Sequence, residues 1–163
     1  MASITLGGNP ISTTGDLPAV GADAPAVDLV GADFSPVGLA EGQRTVLNIF
    51  PSVDTGVCAA SVRKFNELAS DLANTTVVCV SNDLPMAQAR FCGSEGIENV
   101  TTGSGFRSSF GEDYGVTMAD GKFEGLLARS IVVVDEHGKV IHSQLVPEIA
   151  QEPDYDAAVA ALG

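Results

Sequence analysis

Two apolar runs set the strongest limit on what this chain can become. TVLNIF (45–50) reads as a central strand, apolar on both faces apart from Asn48, and TTVVCVS (75–81) as a second buried strand. Between them, Val62, Phe65, Leu68, Ala69 and Leu72 recur at spacings of three and four, which predicts a helix from about Cys58 to Ala73. DLPMAQARFCGSEG (83–96) predicts a shorter helix, with Pro85 in its first turn and Gly93 just past its end. LLARSIVVVD (126–135) is the strongest strand signal; a tight DEHGK turn and VIHSQLV complete an antiparallel hairpin. DYDAAVAALG (154–163) predicts a terminal helix capped by Asp154.

The flanking segments are less regular. ITL and IST around a Gly-Asn-Pro turn predict an N-terminal β-hairpin. From Gly15 to Gly42 the chain reads as wrapping loop with one or two short strands, and FRSSFGEDYGV holds a short helix. This order of elements predicts an α/β fold, a central mixed sheet flanked by helices, in one domain over residues 1–163. A thioredoxin-like fold has that order.

Composition excludes more than it assigns. The 163 residues, 45% hydrophobic and 18% charged, suit a globular chain rather than a disordered one. The net charge of −13 repels phosphate backbones and anionic lipids, so nucleic acid and membrane surfaces are poor partners. No apolar run reaches the ~20 residues of a membrane span, and the N-terminus lacks the pattern of a secretory signal. A cytoplasmic location is the expectation. Three cysteines (Cys58, Cys79, Cys92) with no C-x-x-C pair, and two histidines distant from them, fit neither a disulfide scaffold nor a structural zinc site. Redox or nucleophilic thiol chemistry stays open.

SVDTGVC (52–58) is where that chemistry concentrates. Cys58 falls in the first turn of a predicted helix, where free N–H groups and the dipole favour a thiolate. Shifting a thiol from about 8.5 by ~2 units takes about 2.7 kcal/mol, and a helix end supplies about 1. A cation is needed for the rest. Arg129 stands apart among the five arginines because it precedes SIVVV, and a cation entering a buried strand needs an anionic partner or an active-site role. Arg63 and Arg90 compete with it.

Extra thiolate alone accelerates attack by little more than tenfold, so the site must also position its substrate. Thr55, one turn ahead of Cys58, can hydrogen-bond the sulfur and a bound oxygen, and Pro51 would shield the site from water. Thr55 also occupies the place where a disulfide exchanger carries its first cysteine. The ordinary alternatives stand beside these: a packing cysteine at Cys58, and a helix N-cap at Thr55 or Asp54. Cys92, in the last turn of its helix, lies at the negative end of the dipole and suits a thiol of ordinary character in a resolving role, or a packing residue. Cys79 reads as core.

Pro51-x-x-x-Thr55-x-x-Cys58 with a distant Arg129 resembles the peroxiredoxin signature. NIFPSVDTGVCAASVRKFNELA, DLPMAQARFCGSEG and LLARSIVVVDEHGKVIHSQLV are similar to the bacterial thiol peroxidase subfamily, of the atypical two-cysteine type, over essentially the whole chain. The resemblance implies that Cys58 attacks a hydroperoxide, hydrogen peroxide or organic, and becomes a sulfenic acid. It implies that Cys92 resolves this as an intramolecular disulfide, and that Thr55, Arg129 and Pro51 build the site. It further implies thioredoxin as reductant, a homodimer, and no metal, haem or flavin cofactor. Two other classes remain: a Cys-His hydrolase using Cys58 and His142, which lacks a third member, and a non-catalytic redox sensor.

Overall fold

The computed structural model describes residues 1–163. In chain order the elements are β1 (Ser3–Leu6), β2 (Asn9–Ser12), β3 (Leu29–Val30), β4 (Pro36–Val37), β5 (Arg44–Ile49), α1 (Gly56–Ala69), β6 (Thr75–Ser81), α2 (Pro85–Glu95), β7 (Thr101–Ser104), α3 (Phe110–Asp113), β8 (Ser130–Val134), β9 (Val140–Leu145) and α4 (Tyr155–Ala160). β1 and β2 form a separate hairpin, and the other strands make one sheet in the order β4-β3-β7-β6-β5-β8-β9. β5, β6 and β7 run parallel, while β8 lies antiparallel to β5 and to β9. This is the mixed sheet that the order of elements predicts, in the thioredoxin-like arrangement.

The period-2 alternation of the central strands divides the interior into two cores. Val46, Val77, Cys79, Ile131 and Val133 face α1, α2 and α4, where Val62, Phe65 and Phe91 meet them. Leu47, Ile49, Val78, Val80, Val132 and Val134 face the other way, against α3, the segment after it, and Ile4 and Ile11 of the hairpin. Both faces of the central strands are therefore covered, which explains why TVLNIF and TTVVCVS read as continuous apolar runs.

Several boundaries differ from the sequence reading, each for a local reason. The hairpin turns at Gly7 and Gly8, with φ of 59° and 84°, and not at Asn9-Pro10, which belong to β2. Two successive positive φ values are the geometry of a tight hairpin turn, and glycine supplies them without strain. α1 begins at Gly56 and ends at Ala69, where the chain tightens into i→i−3 bonds from Asp71 to Leu68 (3.1 Å) and Leu72 to Ala69 (3.2 Å). α2 runs through Gly93 and stops at Gly96, which takes the left-handed cap conformation at φ 66°. Cys92 remains in the last turn, its carbonyl accepting the N–H of Ile97 at 3.0 Å. β7, with sequence TTGS, carries no hydrophobic signal and was not anticipated as a strand. α4 is capped as expected, Asp154 accepting the Ala157 N–H at 3.0 Å.

One carboxylate ties the hairpin to the segment after β9. Glu148 accepts from the N–H groups of Ala150 (2.8 Å) and Gly8 (2.9 Å) and from the Thr5 hydroxyl (3.0 Å). The backbone donors of Ala150 and Gly8 hold its carboxyl at about 2, against an ordinary 4.5. A pKa depressed on folding contributes stability above the unfolded value, lost as pH falls toward the folded one. Glu148→Gln is therefore expected to lower the melting temperature at pH 7, with a deficit that shrinks below about pH 4.5 and is gone near pH 2. Melting curves across that range test it; a deficit independent of pH would remove Glu148 from the hairpin's anchoring.

Candidate active site

β5 delivers the chain to one end of the sheet, where Phe50 still pairs with Val80 (N–H to carbonyl, 3.0 Å) and buried Pro51 turns it away. Residues 52–55 form a loop, and Thr55 takes the extended N-cap conformation that starts α1. The Thr55 hydroxyl does not cap the helix. It donates to the Ser52 carbonyl at 3.1 Å, so its lone pairs are what it offers outward. The first helical bond runs from the Ala59 N–H to the Thr55 carbonyl at 2.9 Å, and the amides ahead of it have no i−4 carbonyl to meet.

Cys58 sits in this first turn, fully buried. The turn is pinned from below: Asn48 donates to Ser61 Oγ at 3.2 Å, and Ser61 donates to the Cys58 carbonyl at 2.8 Å. Asn48, the one polar interruption in TVLNIF, thus serves the helix start that carries the cysteine.

Arg129 enters from the other side of the sheet end, immediately before β8, and is 2% exposed. Its Nη2 donates to Cys58 Sγ at 3.1 Å and its Nε to the Ile149 carbonyl at 2.8 Å, while the buried Nη1 has no partner. A buried guanidinium demands a counter-charge. No carboxylate pairs with Arg129, and the sulfur is the one group at hydrogen-bond distance able to carry a negative charge. Arg63 and Arg90, the competitors, are instead exposed and paired with Glu95 (3.2 Å) and Asp54 (3.4 Å).

A cavity of about 160 Å³ opens beside this pair, lined by Leu6, Thr55, Val57, Phe123, Arg129 and Ile149 among others. Its walls are mostly apolar. Arg129 and Thr55 give it a donor and an acceptor. Leu6, Phe123 and Ile149 carry no sequence signal that ties them to Cys58; only the docking of the hairpin and of two loops brings them there.

The other two thiols are placed differently, and all three cysteines are free. Cys92 is half-buried and opens on another cleft, between residues 31–37 and 97–102. Burial pushes its thiol up. The structure joins Cys58 to Arg129, sets Thr55 and Arg129 on one cavity, and leaves Cys92 on a different cleft; Pro51 is buried in the turn that leads to α1. Cys79 is fully buried beneath α1, where desolvation pushes its thiol up to about 12 against a weaker opposing bond from Asn48 at 3.6 Å. His142, the candidate base of a hydrolase, lies on edge strand β9, and the partner of Cys58 Sγ is an arginine. No group of three or more His, Cys, Asp or Glu side chains is placed to hold a metal ion, and no helix is long and apolar enough to cross a membrane.

The chain is similar to known proteins over its whole length. The redoxin family pattern matches residues 19–159. The chain is 61% identical to a thiol peroxidase of Mycobacterium tuberculosis, over 100% of this chain and 99% of that protein. It is 57% identical to a thiol peroxidase of Corynebacterium glutamicum, over 99% of both. Among solved structures, a peroxiredoxin-like protein from Aquifex aeolicus superposes with a TM-score of 0.95 at 40% identity, covering 99% of this chain and 96% of its own. A buried cysteine under an unpaired arginine, on this fold and with these relatives, has one consistent reading: the chain belongs to the redoxin family, as a thiol-dependent peroxidase of the peroxiredoxin type.

Proposed function

We propose that Cys58 is the peroxidatic thiol and that Cys92 resolves its oxidised form within the same chain. The observation that carries the reading is the contact of Arg129 Nη2 with the buried Cys58 sulfur, with Nη1 left unpartnered beside a small cavity. The sulfur attacks the terminal oxygen of a hydroperoxide: the S–O bond forms, the O–O bond breaks, and the other oxygen leaves as water or alcohol. Arg129 donates to the peroxide oxygens as charge moves onto the leaving one. Thr55, its hydroxyl hydrogen committed to Ser52, accepts the peroxide O–H and orients it. Pro51 closes the loop over the sulfur and excludes water. The apolar walls of the cavity favour an alkyl group, so organic hydroperoxides are substrates beside hydrogen peroxide.

The cycle is completed when the Cys92 thiol condenses with the Cys58 sulfenic acid, forming a disulfide and releasing water. Thioredoxin is the reductant of that disulfide, in the cytoplasm, and the enzyme works as a homodimer without metal or organic cofactor.

One equivalent of hydroperoxide added to the reduced protein, followed by blocking of free thiols and peptide mapping without reduction, tests the reading. A Cys58–Cys92 link within one chain, with Cys79 alkylated, is the expected result; an oxidised Cys58 without that link would make this a one-cysteine enzyme. Cys92→Ser should keep the first oxidation within about threefold and lose nearly all thioredoxin-linked turnover, because condensation needs a second thiol. Sustained turnover in that variant would reassign the resolving role.

A further inference from the structure

The segment between β6 and α2 ties the loop of Cys58 to α2 through a chain of side chains, Asp83, Ser81 and Gln88. Asp83 accepts from the Ser52 hydroxyl at 2.7 Å through Oδ1, and from the Val53 N–H (2.9 Å) and the Ser81 hydroxyl (2.6 Å) through Oδ2. Ser81 Oγ also accepts from Gln88 Nε2 in α2 at 3.0 Å, and both residues are fully buried. Gln88 continues to the Gly103 carbonyl (3.2 Å), and Ser104 donates to the Asp83 carbonyl. Ser52, at the other end, holds Thr55 through its carbonyl, which accepts both the Thr55 N–H (3.2 Å) and hydroxyl (3.1 Å). Asp83 has no cationic partner, and it does not line the cavity at Cys58.

We propose that Asp83 is a positioning residue: its bonds to Ser52 and Val53 tie the Cys58 loop to the segment that leads into α2, and so set how oxidised Cys58 divides between its two fates. This rests on Cys58 and Cys92 being the reacting pair. In the first fate the Cys92 sulfur bonds to Cys58, the S–O bond breaks, and hydroxide leaves with the thiol proton as water. In the second, another hydroperoxide transfers an oxygen: a second S–O bond forms, O–O breaks, and Cys58 becomes a sulfinic acid while an alcohol or water departs. Only the first requires the loop and α2 to part, because Cys58 is fully buried and Cys92 opens on a separate cleft. The Asp83 bonds to Ser52 and Val53 are the ones that such a parting breaks. The pairs Arg90–Asp54 and Arg63–Glu95 span the same segments but are exposed and screened, so they add little.

Asp83→Asn presents an NH2 group where an oxygen now accepts, and Ser52→Ala removes one donor to Asp83 together with the acceptor of the exposed Asp54 N–H (3.1 Å); both leave Cys58, Thr55, Arg129 and Cys92 in place. Single-turnover stopped-flow mixing with hydrogen peroxide separates the oxidation step from disulfide formation. Disulfide formation is expected to quicken about tenfold in Asp83→Asn and about threefold in Ser52→Ala, since bonds to a charged group are the strong ones. The peroxide dose that converts half of Cys58 to sulfinic acid should rise by the same factors, while the first oxidation slows by no more than about threefold. A melting temperature that falls with neither the resolution rate nor the sulfinic dose moving would leave Asp83 a structural tie and overturn the proposal. If the disulfide forms at one rate in all three proteins, the role of Asp83 alone fails. If no such disulfide forms even in the wild-type protein, the pairing of Cys58 with Cys92 fails and takes this inference with it.

Discussion

Replacing Cys58 by serine is expected to abolish hydroperoxide consumption while leaving the fold intact. The sulfur is fully buried and accepts from Arg129 at 3.1 Å, and a serine oxygen can occupy the same place and accept the same bond. What it cannot do is react, because the nucleophile is a thiolate and a hydroxyl ionises far above any working pH. Neither remaining thiol can take over. With burial pushing its thiol up to about 12, Cys79 stays protonated at pH 7 and has no exposure to meet a peroxide. Cys92 is half-buried with its thiol pushed up, and no arginine is bonded to it. Peroxide consumption followed optically, beside a circular dichroism spectrum matching the wild type, should show activity at the level of free thiols. Activity near that of the unaltered protein would place the reacting sulfur elsewhere.

For Arg129→Ala the expected loss in the rate of the first oxidation is about 10²–10³-fold, the range for removing an aimed donor from a developing oxyanion. The guanidinium meets three demands at once: Nε is fixed on the Ile149 carbonyl, Nη2 is on the sulfur, and Nη1 is buried and unpartnered. A point charge cannot reproduce that fork, so Arg129→Lys should recover less than about tenfold of the loss. Competition kinetics against a second peroxidase would measure both variants. An alanine variant within threefold of the wild type would show that the reaction does not use this cation. The lysine variant separates charge from geometry, since full recovery would mean that charge alone was needed.

The chemistry was legible in the sequence because its residues are unusual where they stand. A cysteine at a strand-to-helix junction, a threonine one turn ahead and an arginine abutting SIVVV stand out by position, and the structure bonds the arginine to the cysteine and sets arginine and threonine on one cavity. The central sheet was legible for a related reason. β5, β6 and β8 are covered on both faces, so their side chains are apolar throughout.

Other features had no such signature. β7 is flanked by β3 and β6, yet its residues are Thr, Thr, Gly and Ser. Its buried Ser104 hydroxyl is satisfied by the Asp83 carbonyl, a partner that only the folded chain supplies. The end of α2 was misplaced because Gly93 and Gly96 look alike in sequence. A glycine inside a helix costs about 1 kcal/mol and is tolerated, whereas the helix stops where a left-handed residue completes the cap. Asp83 and Glu148 carry no sequence signal, because their importance lies in the partners they bond far away in the chain.

The sequence by itself therefore determined which residues are candidates for reaction and which strands must be buried, because reactivity and hydrophobicity belong to residue types and local order. Tertiary structure alone decided that Arg129 reaches Cys58 across 71 positions, that Cys92 stands on a separate cleft, and that hairpin, loops and sheet end enclose one cavity. Those are contacts between segments remote in the chain, set by how the two cores pack against the sheet rather than by any run of residues.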